Sequence, residues 1–330
     1  AVARARAAFP AWAALPQSAR EDHVRRYKAM LSDRNDAFAK AIALETGKPL
    51  WEAKTEIASM IGKVDISIAA QAERAGSREQ ATPFGRAVLR HKPHGVMAVL
   101  GPYNFPGHLP NGHIVPALLA GDVVIFKPSE LTPLVGELMA QAFRDAGLPD
   151  GVFTLLQGGR DTGAALIAQD IDGLLFTGSA GAGAHFARVM ADRPGVILAL
   201  ELGGNNPLVA WDGDAQAVAS IIVQSAFITA GQRCSCARRL ILPQGAAGDA
   251  ILDATGALGR RRGAARLFRG RGAFRHGALH GIGPPCASRC RVQKSHGICW
   301  PIMTSMPGAC PGARRRAPMR PIPIMSGCPK

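Results

Sequence analysis

Residues 254–330 of this 330-residue chain contain no acidic side chain. All 24 Asp and Glu lie at or before Asp253, and the tail beyond it holds 13 Arg and 2 Lys. Removing those 15 from the 39 Lys and Arg of the chain leaves 24 bases against 24 acids in residues 1–253. The body is therefore neutral, and the formal charge of +15 belongs to the tail. Also missing is any run of 18 apolar residues, which excludes a membrane-spanning helix and predicts a soluble chain. None of the seven cysteines forms a Cys-x-x-Cys pair, so the sequence offers no zinc framework and no metal site is expected. No G-x-G-x-x-G follows the first apolar strand, which excludes the standard dinucleotide fingerprint. The chain does not begin with Met, and Pro10 and Pro16 interrupt its apolar opening, so the start reads as a truncation rather than a secretory leader.

The tail is dense in Arg, Gly and Pro, carries Cys286, Cys290, Cys299, Cys310 and Cys328, and shows no sustained period of 2 or 3.6. One reading is an electrostatic arm for polyanions on an otherwise inactive fragment. The abrupt loss of every acid favours another: an out-of-frame translation of a GC-rich gene, with a frame change near the codons for 250–256. On that reading residues 254–330 pack poorly and are not a nucleic-acid module.

With 47% apolar residues, the chain is long enough for a sizeable core and two domains. Apolar residues at Val24, Tyr27, Leu31, Phe38 and Ile42 predict one amphipathic helix over 18–46, ended by Gly47-Lys48-Pro49, with a second over about 50–75. Residues 84–93 alternate and are flanked by polar residues. Then short apolar runs (Val96–Leu100, Val123–Phe126, Phe153–Leu156, Leu174–Phe176, Val196–Leu200) alternate with helix-like stretches such as Leu134–Ala146. Continuous apolar strands separated by helices predict an α/β fold of the Rossmann type, a parallel sheet with helices on both faces. Ligands of such sheets bind beyond the carboxyl ends of the strands, where Asn104, Lys127, Thr177-Gly178-Ser179 and Glu201 all fall.

Cys234 lies in Gly231-Gln232-Arg233-Cys234-Ser235-Cys236, between a helix-like run (Ala217–Thr229) and a strand-like one (Arg238–Leu242). A thiol at such a junction is either a buried small hydrophobe or a nucleophile. Its company of a carboxylate, an amide and a lysine favours the nucleophile, and Cys236 reads as packing. Gly178-Ser179-Ala180-Gly181-Ala182-Gly183 follows a strand and opens a helix, where free N–H groups and the positive helix end suit a pyrophosphate.

These stretches, with Pro102-Tyr103-Asn104-Phe105-Pro106, Phe126-Lys127-Pro128-Ser129-Glu130 and Leu200-Glu201-Leu202-Gly203-Gly204-Asn205-Asn206-Pro207, resemble the aldehyde dehydrogenase superfamily over residues 1–253. The resemblance implies Cys234 as nucleophile, Asn104 as oxyanion donor and Glu201 as general base. It assigns Lys127 to the adenosine ribose of the cofactor and Thr177, Gly178, Ser179 and Gly183 to the phosphate turn. Glu130 beside Lys127 would repel a 2′-phosphate, which implies NAD. The wording of residues 101–121 and 231–239 further implies oxidation of N-succinylglutamate 5-semialdehyde to N-succinylglutamate in arginine catabolism, with His108, Asn111, His113 and Arg233 as substrate contacts. A CoA-acylating relative is the alternative, and Glu201 argues against it because such enzymes need no base for hydrolysis. The expected domains are 1–200 for NAD, with an oligomerisation hairpin at about 77–93, then 201–253 as the start of a truncated catalytic domain, then the tail. The family resemblance also implies a cytoplasmic homo-oligomer, here without the terminal oligomerisation strand and impaired in turnover.

Overall fold

The computed structural model describes residues 1–261 and the strands Arg275–His276, Cys290–Ser295 and Ile298–Thr304. The polyanion-arm and frame-change readings of the tail, with Cys286, Cys310 and Cys328, lie outside the described residues. The chain divides into two compact units, one of Ala1–Asn205 with Ser225–Cys236 and one of Asn206–Gln224 with Ala237–Lys330.

The first unit opens with four helices, α1 (Val2–Ala13), α2 (Gln17–Asp33), α3 (Asn35–Thr46) and α4 (Leu50–Arg74). A single helix over 18–46 is not formed. Arg34 (φ −105°, ψ 16°) ends α2 and starts α3, within an Asp-Arg-Asn run whose side chains compete for backbone groups. The Arg34 guanidinium pairs with Asp145, and the buried positions Val24, Tyr27, Leu31, Phe38 and Ile42 keep their period across the break. Pro10 is accommodated inside α1. A two-stranded antiparallel hairpin follows, β1 (Arg78–Thr82) with β2 (Gly85–Leu89), exposed at every position.

The central sheet contains β3 (Val96–Leu100), β4 (Val123–Lys127), β5 (Phe153–Leu155), β6 (Gly173–Gly178) and β7 (Ile197–Leu202), in the order β5-β4-β3-β6-β7. All four pairings are parallel. Every residue of β3 and β4 is buried, which is why these runs are continuously apolar instead of alternating. The crossovers are α5 (His108–Ala120), α6 (Pro133–Asp145), α7 (Arg160–Ile167) and α8 (Ala180–Met190). Gly121 closes α5 at φ 96°, and a Cβ there would lie 2.8 Å from Pro93 Cγ, so the turn into β4 requires glycine. A boundary at residue 200 would cut β7; the strand's pairing with β6 through Leu202 carries the first unit on to Asn205.

Carboxylates fasten the amino end of the sheet. Asp122 Oδ1 accepts from the His94 and Gly95 amides at 2.6 and 2.9 Å, and burial pushes its carboxyl above the ordinary range. Asp172 accepts from the Val96 amide at 2.7 Å and from Arg6 of α1, whose Nη2 also donates to the Asp170 carbonyl at 2.7 Å. Trp12, also of α1, donates its indole N–H to the Leu118 carbonyl at 3.2 Å. Between α2, α6 and β5, Tyr27 stacks on Phe143 with centroids 3.7 Å apart, and Phe143 meets Phe153 at 4.5 Å.

The second unit has its own small core of Ala210, Ile222, Leu240, Leu242 and Ile251. Its elements are β8 (Asn206–Val209), α9 (Ala215–Phe227, of which the last three residues belong to the first unit), β9 (Ala237–Leu242), α10 (Ala246–Arg261), β10 (Arg275–His276), β11 (Cys290–Ser295) and β12 (Ile298–Thr304). They form a sheet in the order β10-β11-β12-β9-β8. Asp214 caps α9 by accepting from the Gln216 and Ala217 amides. The loss of acids after Asp253 falls inside α10, where Ala254 and Thr255 are buried. Among the described residues no helix is long and apolar enough to cross a membrane.

Phe143→Ala removes a ring that is 1% exposed between two aromatic partners. The expected loss is about 3–5 kcal/mol in urea unfolding, and a loss under about 1 kcal/mol would mean the stack does not hold these elements together.

Candidate active site

All the candidate site residues belong to the first unit. Asn104 stands in the loop between β3 and α5. Its Oδ1 accepts from the Phe105 amide at 3.0 Å, which turns its Nδ2 toward the Gln232 carbonyl, to which it donates. Gln232 is two residues before Cys234, and its side-chain oxygen accepts from the Tyr103 hydroxyl at 2.7 Å. The loop after β3 and the turn bearing the cysteine are thus joined twice. Cys234 is exposed, whereas Cys236 is buried with its Sγ 3.6 Å from the Ile228 carbonyl.

The turn has an unusual backbone. After α9 the chain makes a 3-10 turn, Ile228–Gly231, in which Thr229 (φ 54°) and Ala230 (φ 51°) are both left-handed. Such conformations cost a residue with a Cβ about 1–2 kcal/mol or more, and a surrounding framework must hold them. Glu52 of α4 is that framework. It accepts from the Thr229 amide at 3.2 Å, from the Thr229 hydroxyl, and from Arg233 Nη2 at 3.1 Å, while Arg233 Nε donates to Thr229 Oγ1 at 2.8 Å.

One helical turn along α4, Glu56 serves the Asn104 loop in the same manner. Its Oε1 accepts from the Gly107 and His108 amides at 3.0 and 3.1 Å, capping the start of α5, and its Oε2 accepts from Lys48 Nζ at 2.6 Å. Lys48 also donates to the Asn104 carbonyl at 2.8 Å. Lys48 and Arg233 both lie over the Phe105 ring, 4.1 and 5.0 Å from its centroid. Sequence reasoning did not find Lys48, Glu52 or Glu56. The signal was present, because both glutamates fall within the apolar stripe of α4 formed by Ala53, Ile57, Met60 and Val64.

At the ends of β6 and β7, Glu201 sits opposite Thr177 in the sheet register, and His113 of α5 has Nε2 3.1 Å from Thr177 Oγ1. Burial pushes the His113 imidazole below its ordinary range, Glu201 pulls it up, and Lys63 pushes it further down. His108 is lowered as well, by burial first and by Lys63 and Lys48 against Glu56.

Two expected substrate contacts make bonds within the protein. Asn111 is wholly buried; its Oδ1 accepts from the Tyr27 hydroxyl at 3.2 Å and its Nδ2 donates to the Met60 carbonyl at 3.1 Å, so it joins α5 to α2 and α4. Arg233 spends Nε and Nη2 on Thr229 and Glu52, where it holds the turn.

A cleft of about 640 Å³ opens beyond the carboxyl ends of β3, β4 and β6, lined by Gly101, Lys127, Glu130, Arg160, Ala182 and Arg188 among others. Lys127 donates to the Pro128 and Gly158 carbonyls at 2.9 and 2.8 Å and lies 3.9 Å from Glu130; burial lowers its ammonium. Ser179 caps α8 by accepting from the Ala182 amide at 3.2 Å. At Gly183 a Cβ would fall 2.6 Å from Leu202, so glycine lets α8 approach the end of β7. Arg160 and Arg188 were not found from sequence, since single arginines on helices carry no motif.

The Aldehyde dehydrogenase family model matches residues 1–258. Over 263 residues the chain is 68% identical to N-succinylglutamate 5-semialdehyde dehydrogenase 2 of Caulobacter vibrioides, covering 79% of this chain and 54% of that protein. It is 58% identical to the N-succinylglutamate 5-semialdehyde dehydrogenase of Burkholderia mallei, covering 77% and 52%. The chain thus spans about half the length of the curated relatives it matches. A Mycobacterium tuberculosis aldehyde dehydrogenase solved with NAD+ aligns with a TM-score of 0.73 at 32% identity, covering 78% of this chain and 54% of that one.

The lowered imidazoles set a pH dependence of stability. Unfolded histidine takes up its proton near pH ~6.5, while buried His108 and His113 resist it, so their contribution is complete above that pH and is lost as pH falls below it. His113→Gln is expected to flatten the decline of the urea midpoint between about pH 7.5 and 5. An unchanged slope would show that His113 titrates alike in both states.

Proposed function

The chain belongs to the aldehyde dehydrogenase family, and from that membership we propose that its site carries NAD-dependent oxidation of N-succinylglutamate 5-semialdehyde to N-succinylglutamate. The observation that carries the proposal is the Asn104 amide aimed at the turn of the exposed Cys234. The Cys234 thiolate attacks the aldehyde carbon, and the carbonyl π pair moves onto oxygen. The resulting alkoxide is a charged acceptor and competes with the Gln232 carbonyl for the Asn104 N–H; the Cys234 amide is its second donor. The hydride acceptor for this carbon would be supplied by NAD held in the cleft beside Lys127 and the Thr177-Gly178-Ser179 turn. Cys234 then holds a thioester, and Glu201 takes a proton from the water that cleaves it, releasing the acid and the thiol.

The cleft fits the cofactor chemically. Lys127 and Glu130 would meet the adenosine ribose, and the Thr177-Gly178-Ser179 turn with the start of α8 and Gly183 would meet the phosphates, near Arg160 and Arg188. The Glu130 carboxylate beside Lys127 favours NAD over a 2′-phosphorylated cofactor. For a substrate with two carboxylates, neutral His108 and His113 supply hydrogen bonds and Lys63 supplies charge. The Cε of Lys63 lies 3.7 Å from where a Cβ on Gly112 would stand, on the same stretch of α5. The hairpin, with Phe84 fully exposed, would pair with a second copy in a cytoplasmic homo-oligomer.

With NAD and the semialdehyde, Cys234→Ala should abolish NADH formation. Glu201→Gln should release about one NADH per site and then stall, with an acyl mass on the Cys234 peptide. These outcomes are expected in the protein with its reading frame restored, the chain as it stands being impaired. Neither NADH nor adduct from that restored parent would sink the proposal, and an undiminished steady rate in Glu201→Gln would remove that residue from its role. Lys63→Met should raise KM about tenfold for the dicarboxylate semialdehyde and leave it within about twofold for an uncharged aldehyde. Equal effects on both substrates would exclude Lys63 from specificity.

A further inference from the structure

The family reaction needs a donor and a nucleophile at a fixed separation, and the two stand on loops that are remote in sequence. Asn104 follows β3 and Cys234 follows α9, yet both loops rest on carboxylates of one helix, Glu56 and Glu52, one turn apart and 1% and 2% exposed. We propose that Glu52 and Glu56 are positioning residues: α4 is a rigid base that sets the distance between the oxyanion donor and the nucleophile, each carboxylate holding one loop.

The Glu52 half carries the greater burden. Thr229 and Ala230 are left-handed in succession, and Ala230 is exposed. The carboxylate accepts both the amide and the hydroxyl of Thr229, and Arg233 completes a ring of bonds from Glu52 to Thr229 and back. Glutamine in its place offers one carbonyl oxygen for three donors and brings an N–H2 toward N–H groups. The Glu56 half is complementary, because Lys48 reaches from Glu56 to the Asn104 carbonyl and the Gly107 and His108 amides close on the same carboxylate.

This proposal rests on the reaction proposed above, but its test needs no turnover. Hydrogen exchange on the full chain should show the 229–236 peptide opening about tenfold faster in Glu52→Gln, with the 104–108 peptide nearly unchanged. Glu56→Gln should show the reverse, and the β3 and β6 peptides should stay within about twofold in both variants. Adding Ala230→Gly, which takes the left-handed conformation without a Cβ clash, should return the 229–236 peptide of Glu52→Gln to within about threefold of the parent. If Glu52→Gln does not fold, Thr229→Val removes the hydroxyl's bonds to Glu52 and from Arg233 Nε, keeps the Thr229 amide bond to Glu52, and should loosen the same peptide. In steady-state NADH formation, Glu52→Gln should lower kcat about tenfold with KM within about twofold. Exchange that rises equally in loops and sheet, or a glycine that restores nothing, would overturn the proposal and leave the glutamates as general stabilisers. Absence of NADH from the unmodified chain, which is expected to be impaired, would leave the exchange result alone to decide the base.

Discussion

Burying a carboxylate is costly unless donors replace the water it loses, and the first unit does this twice on one face of α4. Glu52 gathers three donors from the turn before Cys234. Glu56 gathers three from Lys48 and the start of α5. Each loop is thus bound to the helix by its own polar groups. The apolar stripe of α4 then fixes where those two points lie relative to the sheet, because Ala53, Ile57, Met60 and Val64 are fully buried. Packing sets the position of the helix, and the helix carries the two carboxylates to which the loops are bonded.

The sheet was legible because its strands are buried on both faces and therefore read as unbroken apolar runs; β3 and β4 have no exposed residue to blur the pattern. Chemistry at strand ends was legible for the same reason, since a run that stops marks the edge where Lys127 and Ser179 stand. The break at Arg34 was not, because Leu31 and Phe38 are spaced as one helix would space them, and the Arg34 pairing with Asp145, 111 residues away, leaves no local pattern. Asn111 was misplaced because a polar residue after a motif reads as a contact; its partners, Tyr27 and Met60, come from two other helices. The role of Arg233 depends on Glu52, 181 residues away, and no local pattern encodes a pairing at that distance. The second unit's late strands in the tail had no periodic signal to read.

The first helix makes its attachments at long range. Trp12 meets a carbonyl 106 residues later, and Arg6 meets an aspartate 166 residues later that is itself bonded to the first amide of β3. At about 5–20 residues per second, Arg6 is joined to the chain roughly 8–33 seconds before Asp172, 166 residues later. Contacts of such separation form late, and until then the buried face of α1, with Ala5 and Trp12, has local cover such as the His23 ring of α2, 5.4 Å from Trp12, but not its sheet partners. A helix whose partners lie so far along the chain is thus among the last elements to be secured, and during that interval it is open to capture by a chaperone.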